Sequence, residues 1–174
     1  MEVARVTIRE GMHAAAGQLD LPQVSIVGPI VEAAARVLRQ MCRQNVAKGR
    51  IYRIRSQRTS GEVSAVIAVT GGIAGLVTYS MSRETAIAIA EAMIGEPCAE
   101  LDELAQSAIA ELANIVTGQA GTALQRAGIQ NDMSPPLLLM GKDMSFSTFN
   151  LTRLVVPLVL DCGEFNIDMG IKLT

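Results

Sequence analysis

The sequence predicts an α+β domain in which helices pack on a largely antiparallel sheet. Three observations lead there. Apolar residues recur at helical spacing in separate segments, β-branched runs are joined by tight turns, and the order is helix, strands, two helices, strands. The chain has 174 residues, 49% hydrophobic and 18% charged, which excludes wholesale disorder and is enough for one core without a metal or disulfide. That core is poor in aromatics. With no Trp, three Phe and two Tyr, it must be filled by Ala, Ile, Leu, Val and nine Met.

The elements follow in order. Residues 1–22 stand apart: Val3–Arg9 alternates weakly before Gly11, Gly17 and Pro22 interrupt it, so an N-terminal arm and an edge strand both remain open. Residues 23–174 read as a single domain. From Pro29, which suits a first helical turn, Ile30, Ala34, Val37, Leu38 and Met41 repeat at helical spacing until Lys48-Gly49. Strands are predicted at Arg50–Gln57, Gly61–Thr70 and Ile73–Ser80. Gly71-Gly72 between the last two marks a hairpin; a phosphate-binding loop is excluded because no Gly-Lys-Ser/Thr and no helix follow. Ser82 caps a helix over Arg83–Ile94, closed by Gly95 and Pro97. A long helix runs from Leu101 to about Ala127, with Asp102 and Glu103 in its first turn and Gly128 after it. Beyond Pro135-Pro136, strands are predicted at Leu137–Met140, Leu151–Leu160 and Phe165–Leu173, the last two joined by a turn over Asp161–Glu164.

Charge and cysteine usage narrow the function. Fifteen basic against seventeen acidic residues, net −2, argues against nucleic-acid binding, which needs a basic footprint. Cys42, Cys98 and Cys162 are odd in number and lack a CxxC spacing, so buried, reduced thiols are expected. A single histidine, His13, makes a metal site of the chain's own unexpected. The opening Met1-Glu2-Val3-Ala4-Arg5 lacks a leader pattern, and the apolar run Leu154–Leu160 is too short for a bilayer. A cytoplasmic protein with no membrane partner is expected. Arg50, Arg53, Arg55 and Arg58 read as a charged strand edge rather than a steering patch, and Met133, Met140 and Met144 as core filling.

One helix carries chemistry. At 100° per residue, Leu104, Ala108, Ile109, Leu112, Ile115 and Val116 fall on a core-facing side. Glu103, Ser107, Glu111, Asn114, Gly118, Gly121 and Gln125 lie opposite. Glu111 and Asn114, three apart, are neighbours on that face. Each interior glycine costs about 1 kcal/mol relative to alanine. Either tight packing inside the monomer or close approach by a partner would account for them.

The run Ser107-Ala108-Ile109-Ala110-Glu111-Leu112-Ala113-Asn114-Ile115-Val116-Thr117-Gly118-Gln119-Ala120 resembles the signature of the CheC/CheX/FliY chemotaxis phosphatases. That signature is Asp or Ser, three residues, Glu, two residues, Asn, then small residues with a glycine. The resemblance covers about residues 24–174, and Pro135-Pro136 lies near the family's following proline. Gln119 stands where members often have asparagine, and residues 1–22 have no counterpart. CheC-type members carry the motif on two pseudo-repeated helices. Here the first long helix offers Glu32-Ala33-Ala34-Ala35, with alanine where asparagine is needed, so the single-motif, CheX-like arrangement is the better match.

The resemblance implies a CheC-like fold and a protein substrate, the aspartyl phosphate of a CheY-like receiver. It implies that Asn114 orients the attacking water, that Glu111 pairs with a receiver lysine, and that Ser107 and Gly118 contact the partner. No cofactor of the chain's own is implied; Mg2+ is expected in the receiver's acidic pocket. A homodimer through the sheets is implied too. The alternative is a non-catalytic module that binds a receiver or flagellar-switch protein on the same scaffold.

Overall fold

The computed structural model describes residues 21–55, 59–142, 144 and 152–174. Of the expected arm, residues 1–20 lie outside these, as do His13 and Arg58. Within them the chain forms α1 (Leu21–Met41), β1 (Val46–Lys48), β2 (Tyr52–Ile54), β3 (Val63–Gly71), β4 (Ile73–Met81), α2 (Arg83–Ile94), α3 (Glu103–Arg126), β5 (Asn131–Met133), β6 (Leu137–Met140), β7 (Arg153–Leu160) and β8 (Gly163–Leu173). Three helices pack on one eight-stranded antiparallel sheet, as the sequence predicts.

The sheet is built from two similar halves. Each consists of a long helix, two short strands and a long hairpin: α1 through β4, then α3 through β8. The hairpins β3–β4 and β7–β8 meet along β4 and β8, in register from Ile73 opposite Leu173 to Met81 opposite Phe165. Each half's short strands pair with the other half's hairpin, β1 and β2 with β7, and β5 and β6 with β3. The backbones touch closely at the centre. A Cβ on Gly75, which has φ +145, would strike the Gly170 carbonyl.

Prolines set where the short strands break. Pro157 in β7 has no N–H to donate, and its carbonyl accepts from Gly49 N at 2.8 Å. The facing chain pairs on either side of it, as β1 and as β2. Pro135-Pro136 separates β5 from β6 in the other half.

Alternation along β3, β4, β7 and β8 sends Ile67, Val77, Tyr79, Val156, Leu158, Ile167 and Met169 into the core beneath the helices. The opposite face is polar yet buried. Ser64 and Ser80 share a 2.8 Å hydrogen bond, and Arg153 Nη1 lies 2.9 Å from Asp168 Oδ2. Burial pushes the Asp168 carboxyl up to about 6, against the pull of the Arg153 guanidinium.

Several boundaries differ from the expectation. α1 does not begin at Pro29; that proline is inside the helix. It removes one backbone bond, at about 3 kcal/mol in a helix interior. Burial of Ile26 and Val27 in the turn before it offsets that loss. α1 also ends at Met41 rather than Gly49. Cys42 N and Gln44 N both donate to Leu38 O, and Arg43 takes the left-handed conformation, φ 53, usually filled by glycine. Val46–Lys48, expected as helix, becomes β1. Cys42 is buried, whereas Cys98 and Cys162 are only half-buried; all three are free thiols. Met140, expected in the core, is 43% exposed on β6. Arg50, Arg53 and Arg55 are exposed along the β2 edge.

Candidate functional site

α3 positions the site. Its first turn is fixed by Asp102, whose carboxylate accepts from Ala105 N at 2.8 Å, and its last by Ala127 N donating to Ala123 and Leu124 carbonyls. Ala105, Ile109, Leu112, Ala113, Val116, Thr117, Ala120 and Leu124 are buried against the core. Thr117 spends its hydroxyl on Ala113 O at 2.6 Å. That orientation leaves Glu103, Ser107, Glu111, Asn114, Gly118 and Gln125 exposed, the face the spacing predicts. Gly121 is half-buried.

The exposed face carries few side-chain bonds. Glu111 and Asn114 make no hydrogen bond or ion pair among the described residues, so carboxylate and amide both stand ready for a partner. Ser107 donates to Glu103 O at 2.8 Å, and Thr122 to Gly118 O at 2.9 Å. The Ser107 hydroxyl is thus spent on a backbone carbonyl of its own helix and not on a carboxylate. Among the described residues no group of three or more His, Cys, Asp or Glu side chains could hold a metal ion. What the face offers is an exposed amide, a carboxylate one turn away and a low surface beside them. Such a surface can orient a water held by someone else's phosphoryl group.

The two helix glycines separate cleanly. A Cβ on Gly121 would lie 3.0 Å from Asn131 Oδ1, and Asn131 Nδ2 donates to Gly121 O at 3.1 Å. Gly121 serves the packing of α3 against β5. A Cβ on Gly118 would meet nothing within 4 Å. Internal packing therefore does not explain Gly118.

Two readings need correction. Leu104, expected in the core, is 59% exposed. It lies seven residues before Glu111, two helical turns, hence within about 20° of it around the axis. Helical spacing alone places it on the Glu111 face, while residue type places leucine in the core. The second concerns α1. Its buried spine Ile26, Ile30, Ala34, Leu38 matches the α3 spine Leu112, Val116, Ala120, Leu124. In that register Ser25 and Gly28 stand where α3 has Glu111 and Asn114, and Glu32 stands where it has Gly118. Glu32-Ala33-Ala34-Ala35 is not the motif's counterpart, and Ala35 is buried.

The fold is CheC-like. A CheC-like superfamily protein from a Shewanella species superposes with TM-score 0.78 at 22% identity, covering 88% of this chain and 99% of that one, a likeness of fold. The profile described as "Chemotaxis phosphatase CheX" matches residues 63–158, from β3 through most of β7 and across the whole α3 motif. The chain belongs to the CheX family. A "CheY-P phosphatase CheX" from Thermotoga maritima is 36% identical over 108 residues, 62% of this chain and 70% of that protein. The CheX structure in a CheX–CheY–BeF3–Mg2+ complex from Borrelia burgdorferi matches with TM-score 0.71 and 26% identity, over 84% of this chain and 97% of that one. Among the described residues, no helix is long and apolar enough to cross a membrane.

Proposed function

We propose that this protein hydrolyses the aspartyl phosphate of a CheY-like receiver domain. The observation that carries the reading is the Glu111–Asn114 pair, without a partner among the described residues, beside a glycine with open space above it. Asn114 accepts a hydrogen bond from a water in line with the phosphorus and holds it there. The water oxygen bonds to phosphorus, the bond from phosphorus to the aspartate oxygen breaks, and inorganic phosphate and a proton leave with the carboxylate restored. Glu111 binds the receiver's lysine, and Ser107 and Gly118 form the surface on which the receiver rests.

The demand on the site is small, because an acyl phosphate is already labile. A hundredfold acceleration needs about 2.7 kcal/mol, within reach of positioning alone. No metal of the chain's own enters this scheme; the Mg2+ belongs to the receiver's acidic pocket, where it neutralises phosphoryl charge. The setting is the cytoplasm. Residues 23–174 act as one domain. A homodimer through the sheet is part of the proposal, supported by the β6 edge, where Leu137 is 63% exposed.

The test is direct. A CheY-type receiver is phosphorylated with acetyl phosphate, the excess removed, and phosphate release followed with and without the protein. Acceleration in the wild type that disappears in Asn114→Ala is expected. Binding without acceleration in the wild type would instead make the protein a docking module.

A further inference from the structure

We infer that Leu104 is a specificity-determining contact, an apolar anchor that selects receivers with an apolar rim beside the phosphorylated aspartate. The inference rests on the function proposed for Glu111 and Asn114 and extends it to a residue that the motif does not contain. A single exposed leucine means little by itself. Its position gives it meaning. Leu104, Ser107, Glu111, Asn114 and Gly118 follow one another at steps of three and four, a single straight line along α3. Among the helix side chains whose burial is described, the only other large apolar one left exposed is Met41, at the last turn of α1.

The dimensions agree. Leu104 lies about 10 Å along the axis from Glu111 and about 15 Å from Asn114, at 1.5 Å per residue. A protein–protein contact of standard size covers about 800 Å² per partner, a disc of roughly 16 Å radius. A contact of that size centred on Asn114, where the phosphoryl group comes, reaches Leu104. The leucine is far from the reacting atoms, so its contact is the same before and during the reaction. It contributes to association and leaves turnover alone. Leu104 is a contact residue, not a catalytic one.

The experiment titrates the receiver phosphorylated with acetyl phosphate against wild type, Leu104→Ala, Leu104→Met and Asn114→Ala, with sedimentation of each variant. Leu104→Ala should raise KM about tenfold with kcat within about twofold of wild type, the scale expected for losing most of a leucine's burial. Leu104→Met should restore KM, since it replaces shape and apolarity without branching. A wild-type KM in Leu104→Ala would overturn the inference. So would a shift of the sedimenting mass in Leu104→Ala, which would give the leucine to a second copy of this chain. Wild-type kcat in Asn114→Ala would overturn the catalytic pair instead, and the KM of Leu104→Ala decides the leucine in either case.

Discussion

The two long helices of this protein are near-copies with different fates. α1 and α3 present the same buried spine to the core and lead into the same pair of short strands, each pair crossing to the other half's hairpin. Outward they differ, above all at the three motif positions. α3 shows Glu111, Asn114 and an open Gly118; α1 shows Ser25, Gly28 and an exposed Glu32. The core therefore does not decide which helix is functional. What distinguishes α3 is the acid, the amide and the open glycine at these positions, which α1 lacks while keeping the fold.

The largest break in the comparison comes from Asn114. Asn114→Ala should reduce kcat on the order of a hundredfold, the scale lost when one water is no longer positioned. Receiver binding should stay near wild type. The fold should hold, because the position is exposed and alanine is the better helix former. Glu111→Ala should act on the other side of the ledger, raising the receiver's Kd roughly tenfold through loss of a charge-assisted contact. Stopped-flow turnover beside equilibrium binding checks both. Equal loss of binding and turnover in the two variants would remove the proposed division of labour.

The glycines give a second, smaller contrast within α3 itself. Gly118→Ala should raise stability by roughly 0.5–1 kcal/mol, since the new Cβ meets nothing and the unfolded chain loses freedom. Gly118→Leu should keep that stability and weaken receiver binding several-fold, because bulk now stands where the partner approaches. Gly121→Ala should be neutral or destabilising, as its Cβ presses on Asn131 Oδ1. Denaturant melts of the three variants would rank them. A destabilised Gly118→Ala would place that glycine in the packing and remove its role at the surface.

A third test runs the comparison backwards. In an Asn114→Ala background, Ser25→Glu, Gly28→Asn and Glu32→Gly together rebuild on α1 what α3 displays. A Cβ on Gly28 meets nothing within 4 Å, so the amide has room. Pro29 restricts the residue before it, which limits how well that amide is placed. The graft should recover a few-fold of the lost kcat, well short of wild type. No recovery with an intact fold would show that the receiver meets something on α3 beyond these three positions.

Much of this was legible in the sequence. The α2 boundaries, the Gly71-Gly72 hairpin and the outward position of Glu111 and Asn114 all follow from local rules, because caps, turns and helical period act over a few residues. The failures share a cause. Pro29 reads as a helix start only if the burial of Ile26 and Val27 is unknown. Arg43 hides a helix end because the usual signal there is glycine. β1 and β5 are three residues each and exist because a strand from the other half of the chain is beside them. Leu104 reads as core by residue type, while its helical angle groups it with Glu111. The site, being a local motif on one helix, was easier to read than the edges of the sheet. Which half of the duplicated unit lines up with which residue needed the spines of both helices.

The smallest expected effect is the most diagnostic for that alignment. Glu32 is exposed on α1, carries the same charge as Glu111 and has an alanine three residues on, so by composition it looks like half of a decayed site. By register it is the counterpart of Gly118, and a carboxylate at that position obstructs a partner instead of binding one. Glu32→Ala should therefore leave kcat and KM within about twofold of wild type, the range of an ordinary surface substitution. Stability should stay within about 0.5 kcal/mol for the same reason. The measurement is the receiver titration used for Glu111→Ala, run side by side. A rise in KM matching that of Glu111→Ala would mean that α1 also contacts the receiver. The two helices would then share one binding surface, and the difference between them would be one of turnover alone.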